Sequence, residues 1–531
     1  MVIEVNWWRR FTIKGGCLME ITNLMKHMPV LETKNAGPIE ITGLAYNSRK
    51  VEKGQVFVCI KGFKADGHQF AGQAVDNGAV ALVVEDFIDG VEVPQYKVEN
   101  GRVALATLGD AFYNHPTRKL KTIGITATNG KTSTSFMTNA ILENNGFKTG
   151  LMGTVVVKIG DYAEPSELTT PESLDLQRFY AQMVDEDVSH ATMEVSSSAL
   201  ELNRVGCVDF DIVTLNNISR EHIDLHSSFE NYFHHKSSLI RNAGADKVAI
   251  LNLDDSYSAS LVNKTKAKVI TIGVEEKSAD VICTNLDLST GRAKFTVEIQ
   301  QDIVTQDLVI PQQTFAVELS TPGFHSVYNS MVSILIGLLC EVPVATIQKS
   351  LAEFVGVERR FEIIFEDDFK IIDDHFANSG NIDITLGTLE KMDFKRIKLV
   401  YAIRGDRGVT VNRENAETIA KWAPKLGIHE VIATLSRSHV TQKDVVSESE
   451  LEVFLEVMEE AGIEVKLYAE LPEAIKHSLY DVAAGDLLLL AGCQGMDYGA
   501  KLALEQLEVI RPNVDKKKLF QPLEKRVAGN T

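Results

Sequence analysis

The sequence predicts an α/β protein of three successive domains. Three observations lead there. At 531 residues the chain exceeds one ordinary core of roughly 150 residues. From Leu120 onward, apolar strand-like runs alternate with helix-like spacing, the pattern of a mostly parallel sheet. The same alternation resumes from Glu362, after a stretch of different texture. Apolar content of 44% and charged content of 24% are those of a soluble globular chain.

The elements follow in order. Met1–Leu18 has a basic pair but no apolar core for a signal peptide, and a second Met stands at position 19. These eighteen residues are expected to be an extension or a misplaced start. Residues 19–117 carry short strands and turns such as QVFVCIKG and AVALVVED, a small mixed α/β unit. Residues 118–358 form the central unit. LKTIGIT is a buried strand, Lys131–Asn145 a helix closed by Gly146, and HATMEV, DFDIVTL, KVAILNL and KVITIGV are further strands. CTNLDLSTGRAKFTVEIQ alternates apolar and polar residues around Ser-Thr-Gly, which predicts an antiparallel hairpin. Helices are expected at Val327–Cys340 and Ala345–Phe354. Residues 359–531 form a Rossmann-like unit with strands FKIIDD, IKLVYAIRG, EVIATLS, EVKLYA and DLLLLAG, and helices at Ala416–Leu426 and Glu448–Ala461.

Composition excludes several classes of function. The formal charge is −19 and no basic run could track a phosphate backbone, so nucleic acid is not an expected partner. No apolar run approaches the ~20 residues needed to span a bilayer, so no membrane partner is expected either. Six cysteines stand singly, without the spacing of a disulfide framework or a zinc site, which fits a reducing cytoplasm.

The chemistry begins at Gly124-Ile-Thr-Ala-Thr-Asn-Gly130-Lys131-Thr132, between a strand and a helix. Backbone amides at such a turn cradle anionic oxygens, with Thr128, Asn129, Gly130 and Ser133 in the cradle. Lys131 supplies charge to the terminal phosphates of a nucleotide, and the Thr132 hydroxyl suits Mg²⁺. The strict G-x4-G-K-[ST] pattern is missed, because Ile125 stands where its first glycine belongs. Glu194 ends a strand, His222 follows in a polar segment, and Lys236 lies in an amphipathic helix. Taken singly, these three are a solvated strand-end carboxylate, a packed histidine and a solvated lysine.

Together with other segments they resemble the Mur ligases, most closely the MurE-like branch that extends the peptidoglycan stem peptide. The matching residues are Tyr46-Asn-Ser48-Arg49-Lys50, Lys61-Gly62 with Asp66-Gly67-His68, and Thr126–Thr132. Leu151-Met-Gly-Thr154, Thr169-Thr170-Pro171, MEVSSSAL with Arg204-Val205, and the His222 and Lys236 segments continue the series. Thinner echoes are Asn252 with Asp254-Asp255, Tyr328-Asn329 and Arg360-Phe361-Glu362. The resemblance implies a uridine-nucleotide-binding first domain, a central ATPase domain and an amino-acid-binding third domain. It implies an ATP-dependent ligase that joins a carboxylate to an amine through an acyl phosphate, in a cytoplasmic monomer. ATP would be held by Thr128 to Ser133 with Asn252, Arg360 and Asp374. Two Mg²⁺ sites would use Thr132, Glu194, His222 and Lys236, the last as a carbamate. Lys131, Glu194, His222 and Lys236 would be the catalytic set. Ser48, Arg49, Thr169, Thr170, Pro171, Ser197 and Arg204 would hold UDP-MurNAc-L-Ala-D-Glu. A free amino acid would meet Arg407, Arg437, His439 and Asp497.

The chain departs from the family at the amine end. Leu435-Ser-Arg-Ser-His439 replaces Asp-Asn-Pro-Arg of diaminopimelate-using members, and Gly492-Cys-Gln-Gly-Met-Asp497 replaces Gly-Lys-Gly-His-Glu. Ser198 stands for a usual His, and Asn216-Asn217 for Thr-Asn. Asp373-Asp-His-Phe-Ala-Asn378 only loosely echoes the family's Asp-Tyr-Ala-His-(Thr/Asn)-Pro. Diaminopimelate, lysine or another amine therefore stay open. So does a Mur-like amide ligase for a carboxylate outside peptidoglycan, folylpolyglutamate-like or secondary-metabolic. A nucleotide-binding scaffold without catalysis is the third reading, opposed by Lys131, Glu194, His222 and Lys236.

Overall fold

A computed structural model describes residues 18–62, 65–219, 228–289, 292–524 and 526. Most of the predicted extension, and His222 with it, lies outside the described residues. Three main sheets follow one another along the chain. The first has five strands in the order Glu32–Lys34, Gln95–Lys97, Ala81–Val84, Gln55–Val58, Gly43–Ala45, parallel except for the Glu32–Lys34 edge. Ala81–Val84 is buried on both faces, as a central parallel strand must be. One face is covered by the helix Gly101–Phe112, which Asn100 caps by accepting from the amides of Arg102 and Val103.

The second sheet has eleven strands. Its parallel block runs Thr149–Met152, His190–Glu194, Lys121–Thr126, Ile212–Leu215, Val248–Asn252, Lys268–Gly273 and Val281–Asp287. Antiparallel strands extend both edges: Val156–Ile159 with Tyr162–Pro165 on one side, Arg292–Ile299 with Gln313–Pro322 on the other. The expected hairpin is therefore present, with Val281 opposite Ile299. Its tip, residues 290 and 291, lies outside the described set. The helix Lys131–Asn144 packs against the helix His325–Leu339, whose residues are almost all buried. Gly337 makes this approach possible, since a Cβ there would stand 2.9 Å from Ile141.

The third sheet has the order Glu362–Glu366, Lys370–Asp374, Leu487–Gly492, Ile397–Ala402, Glu430–Thr434, Glu464–Tyr468, parallel except at its first pair. The last strand in sequence among these, Leu487–Gly492, inserts between two earlier ones. That reversal opens a crevice at the carboxyl ends of Lys370–Asp374, Ile397–Ala402 and Leu487–Gly492. One helix differs from expectation. The segment expected at Ala416–Leu426 begins at Gly408, so that its first turns carry exposed Val409. Its start is set by Glu450, which accepts from the amides of Arg407 (2.9 Å) and Gly408 (2.7 Å).

Candidate functional site

The phosphate loop leaves its strand at Thr126 and enters its helix at Lys131. Gly130 has φ +88°, and a Cβ on it would stand 2.3 Å from Asn329 Oδ1, so this position admits only glycine. Gly124, by contrast, is a strand residue whose missing side chain admits the ring of Phe210. The loop is pinned from outside. Asn217 Oδ1 accepts from the Asn129 amide (2.9 Å) and its Nδ2 donates to the Asn129 carbonyl (2.9 Å). The Thr128 hydroxyl pairs with Tyr232 Oη and accepts from the Ser219 amide, each at 2.9 Å. Lys131 Nζ folds back to the carbonyls of Ala127 (2.9 Å) and Thr128 (3.0 Å).

Glu194 is the electrostatic centre. It is fully buried, and its carboxylate accepts from the Thr132 hydroxyl (2.9 Å), the Thr154 amide (2.9 Å) and the Thr154 hydroxyl (3.1 Å). Gly153 is required for this, because a Cβ there would fall 2.1 Å from Glu194 Oε1. Among the described residues Glu194 forms no ion pair. A buried carboxylate without a cation is costly, and hydroxyl plus carboxylate oxygens are the donors a hard cation takes. The Thr132–Glu194 pair thus fits Mg²⁺. No group of three His, Cys, Asp or Glu side chains placed to hold a metal ion exists among the described residues, and His222 is not one of those residues. Lys236 is buried on the helix Phe229–Arg241, with Nζ donating to Ala127 O and lying 5.2 Å from the Tyr232 ring. Two lysines therefore converge on the carbonyl of Ala127.

One cavity of about 900 Å³ joins the phosphate loop and Lys236 to the C-terminal unit, and Glu194 reaches it only through its bonds to the lining residues Thr132 and Thr154. Thr128 to Ser133, Lys236, Asn252, Arg360 and Asp374 all line it. In it Phe324 and Tyr328 meet edge to face at 5.4 Å, with Lys391 Nζ 5.7 Å from the Phe324 ring, and Trp422 of the C-terminal unit also lines it. The two units touch where Asn381 Nδ2 donates to Asn129 Oδ1 (2.5 Å). Burial raises the Asp374 carboxyl, against bonds from Thr385 and Phe361. Burial first, then the guanidinium groups of Arg360, Arg359 and Arg404, hold His375 well below the usual imidazole range.

Thr169 and Ser197 also line the cavity. Thr169 Oγ1 lies 3.1 Å from Thr154 Oγ1. Thr170 donates to the Glu194 carbonyl (2.8 Å), and Pro171 behind it is buried. Arg204 binds the Thr170 carbonyl (3.1 Å) and Glu172 (2.9 Å), whose second oxygen meets Arg102 of the N-terminal unit (3.3 Å). Thus a polar seam runs from Glu194 to the first domain. Ser48 is buried and donates to Gln73 (2.8 Å), while Arg49 is exposed; both lie away from the cavity lining.

The amine-end candidates are not gathered in the cavity. Arg407 and Arg437 are exposed. The His439 ring meets Tyr498 at 5.3 Å, and its Nδ1 stands 3.9 Å from Glu470. Asp497 is bound by Arg359; burial, opposed by Arg359, pushes its carboxyl up to about 6. Sequence reasoning passed over Arg404 and the loop-clamping role of Asn217. Arg404 stood near the end of a quoted strand run and Asn217 in a quoted pair, but only the fold shows what each one meets.

Known families cover most of the chain. The Mur ligase family catalytic domain matches residues 40–113, the Mur ligase middle domain 125–337, and the Mur ligase glutamate ligase domain 359–494. A Bacillus velezensis protein named UDP-N-acetylmuramoyl-L-alanyl-D-glutamate–2,6-diaminopimelate ligase is 36% identical over 485 residues, covering 89% of this chain and 94% of the relative. A protein of that name from Caldanaerobacter subterraneus is 34% identical over 477 residues, covering 90% and 93%. Among solved structures, MurF from Acinetobacter baumannii shares the fold with a TM-score of 0.64 at 20% identity, over 92% of this chain and 99% of that one. No helix among the described residues is long and apolar enough to cross a membrane. The chain belongs to the Mur ligase family, the ATP-dependent ligases that form amide bonds.

Proposed function

We propose that this chain adds the third amino acid to UDP-MurNAc-L-Ala-D-Glu, as the names of its relatives say of them. The observation that carries the reading is a single cavity lined by the phosphate loop, by Thr154, Thr169 and Ser197, and by the C-terminal residues Arg360, His375 and Arg404. Its aromatic lining residues Phe324, Tyr328 and Trp422 suit a purine, and the loop suits the phosphates. The D-Glu side-chain carboxylate attacks the γ-phosphorus, giving an acyl phosphate and ADP. The amine then attacks the acyl carbon, and phosphate leaves as the amide forms. Lys131 and the loop amides offset the repulsion between carboxylate and triphosphate. Mg²⁺, held by Thr132 and Glu194 with His222 and carbamylated Lys236, would supply further screening of that charge.

A second reading keeps the chemistry and changes the substrate. It draws on the amine end, where Ser436-Arg-Ser-His439 and Gly492-Cys-Gln-Gly-Met-Asp497 have replaced the family's acceptor motifs. One assay separates the two: phosphate release from ATP with UDP-MurNAc-L-Ala-D-Glu and meso-diaminopimelate, L-lysine or L-ornithine in turn. Turnover with one of them is expected. No turnover with any would discard the peptidoglycan reading.

A further inference from the structure

We infer that Arg526 is a positioning residue for Arg360, acting through the chain turn that presents Arg360 to the cavity. The inference rests on the reading that Arg360 holds ATP. Arg360 lies on the connection between the helix Val344–Glu353 and the strand Glu362–Glu366, and it lines the cavity that the phosphate loop also lines. The residues on either side of it have left-handed backbones, Arg359 at φ +57° and Phe361 at φ +53°. Residues other than glycine enter that region at a cost, and such a turn persists only where its surroundings hold it.

The holding groups belong to the two strands that follow. Glu362 Oε2 accepts from the Arg359 amide (2.9 Å), Asp374 Oδ1 accepts from the Phe361 amide (2.8 Å), and the Arg359 carbonyl accepts from the His375 amide (3.0 Å). Glu362 and Asp373 stand opposite each other on their paired strands, and Asp373 is fully buried. Two carboxylates so placed repel, and burial makes their charge costlier. Burial raises the Glu362 carboxyl and Asp373 adds to the rise, while Arg526 opposes it. Arg526 meets both groups. Its guanidinium, 2% exposed, donates from Nη2 to Glu362 and to Asp373, and from Nε to Glu362 (3.2 Å). Arg359 is no substitute. Its Nε stands 3.5 Å from Asp373 without a hydrogen bond, and its Nη atoms donate to Asp497 and to the carbonyls of Gly492 and Cys493. Without Arg526 the two carboxylates share a proton or move apart, Glu362 releases the Arg359 amide, and the turn around Arg360 relaxes. Arg526 itself does not line the cavity, so its influence reaches ATP through that turn.

The test is titration calorimetry of the full-length protein with ATP and Mg²⁺. It needs neither the UDP substrate nor an acceptor, so its outcome is independent of the peptidoglycan assay. Arg360→Ala sets the scale and is expected to raise the ATP Kd about 30-fold. Arg526→Ala should raise it about tenfold, and Arg526→Lys, which keeps the charge but not the fork, should fall between. In the Arg360→Ala background, Arg526→Ala should add less than about twofold, because its effect passes through Arg360. A merely structural arginine would lower Tm and leave the ATP Kd within about twofold, or would add its full effect in the double variant. Either result overturns the inference. Should Arg526→Ala fail to fold, Arg526→Lys carries the same cycle. An Arg360→Ala Kd within about twofold of the unaltered protein overturns the ATP role of Arg360, and the positioning role with it.

Discussion

The two walls of the cavity are built on opposite plans. On the central wall the polar groups answer one another: Glu194 is met by Thr132 and Thr154, Thr128 by Tyr232 and Ser219, Asn129 by Asn217. On the C-terminal wall, Arg360 and Arg404 line the cavity together with His375, and neither guanidinium forms an ion pair among the described residues. The first plan suits the phosphates of ATP and the proposed cation. The second leaves guanidinium charge on the cavity lining without an ion pair among the described residues. A wall satisfied within itself tolerates little change, whereas one that awaits its ligand can be altered to accept a different one.

The largest effect should come from the centre of the satisfied wall. Glu194→Gln keeps the shape and the bond from Thr132 but removes the buried charge. Turnover is expected to fall about 10³-fold, on the order of 4 kcal/mol. A kcat within tenfold of the unaltered protein would show that the charge of Glu194 has no role, and the contrast between the walls would collapse.

Lys236 sharpens the same contrast, since it brings a buried ammonium to the carbonyl of Ala127 beside the proposed cation site. An ammonium opposes a divalent cation; a carbamate joins it. Lys236→Ala should lower turnover about 10²-fold, with partial recovery on adding acetate or another short carboxylic acid. Full activity of the plain variant would exclude a carbamate there.

The walls also differ in how they read from sequence. Strand-loop-helix around Lys131, and Glu194 at a strand end, are local patterns, because contiguous residues build them. The three domains and nearly every parallel strand were legible for the same reason, being short apolar runs of fixed length. Arg404 was not. Its anchoring depends on the carbonyl of Ala377, 27 residues away. Asp497, expected at the amine end, is bonded by Arg359, 138 residues earlier, a contact that only the fold brings together. His222 belongs to the central wall's expected set and lies outside the described residues.

The start of the helix Gly408–Leu426 was hidden in the same way, and it allows the mildest test. Its cap is Glu450, borrowed from the start of the next helix, where it also bonds the Ser447 amide (2.9 Å). Arg404 stands four residues before that helix, with its carbonyl bonded to Asn412 inside it. Loss of the cap therefore acts on the substrate-awaiting wall through its scaffold. Burial alone would raise the Glu450 carboxyl, but hydrogen bonds from the Ser447, Arg407 and Gly408 amides outweigh it and hold the group below its ordinary 4.5. A depressed carboxyl stabilises the fold fully above its unfolded value and loses that contribution as pH falls through the folded value. Glu450→Gln is thus expected to lower stability by about 1–2 kcal/mol at pH 7. The gap in Tm between variant and unaltered protein should hold from pH 7 to about 5 and narrow below about 4. Because the cap lies outside the cavity, Glu194-dependent steps should be untouched, and acceptor KM should rise only a few-fold. A gap that widens in acid would mean that the carboxylate of Glu450 is not what holds the helix start. A change in ATP KM larger than that in acceptor KM would mean that the two walls are not independent.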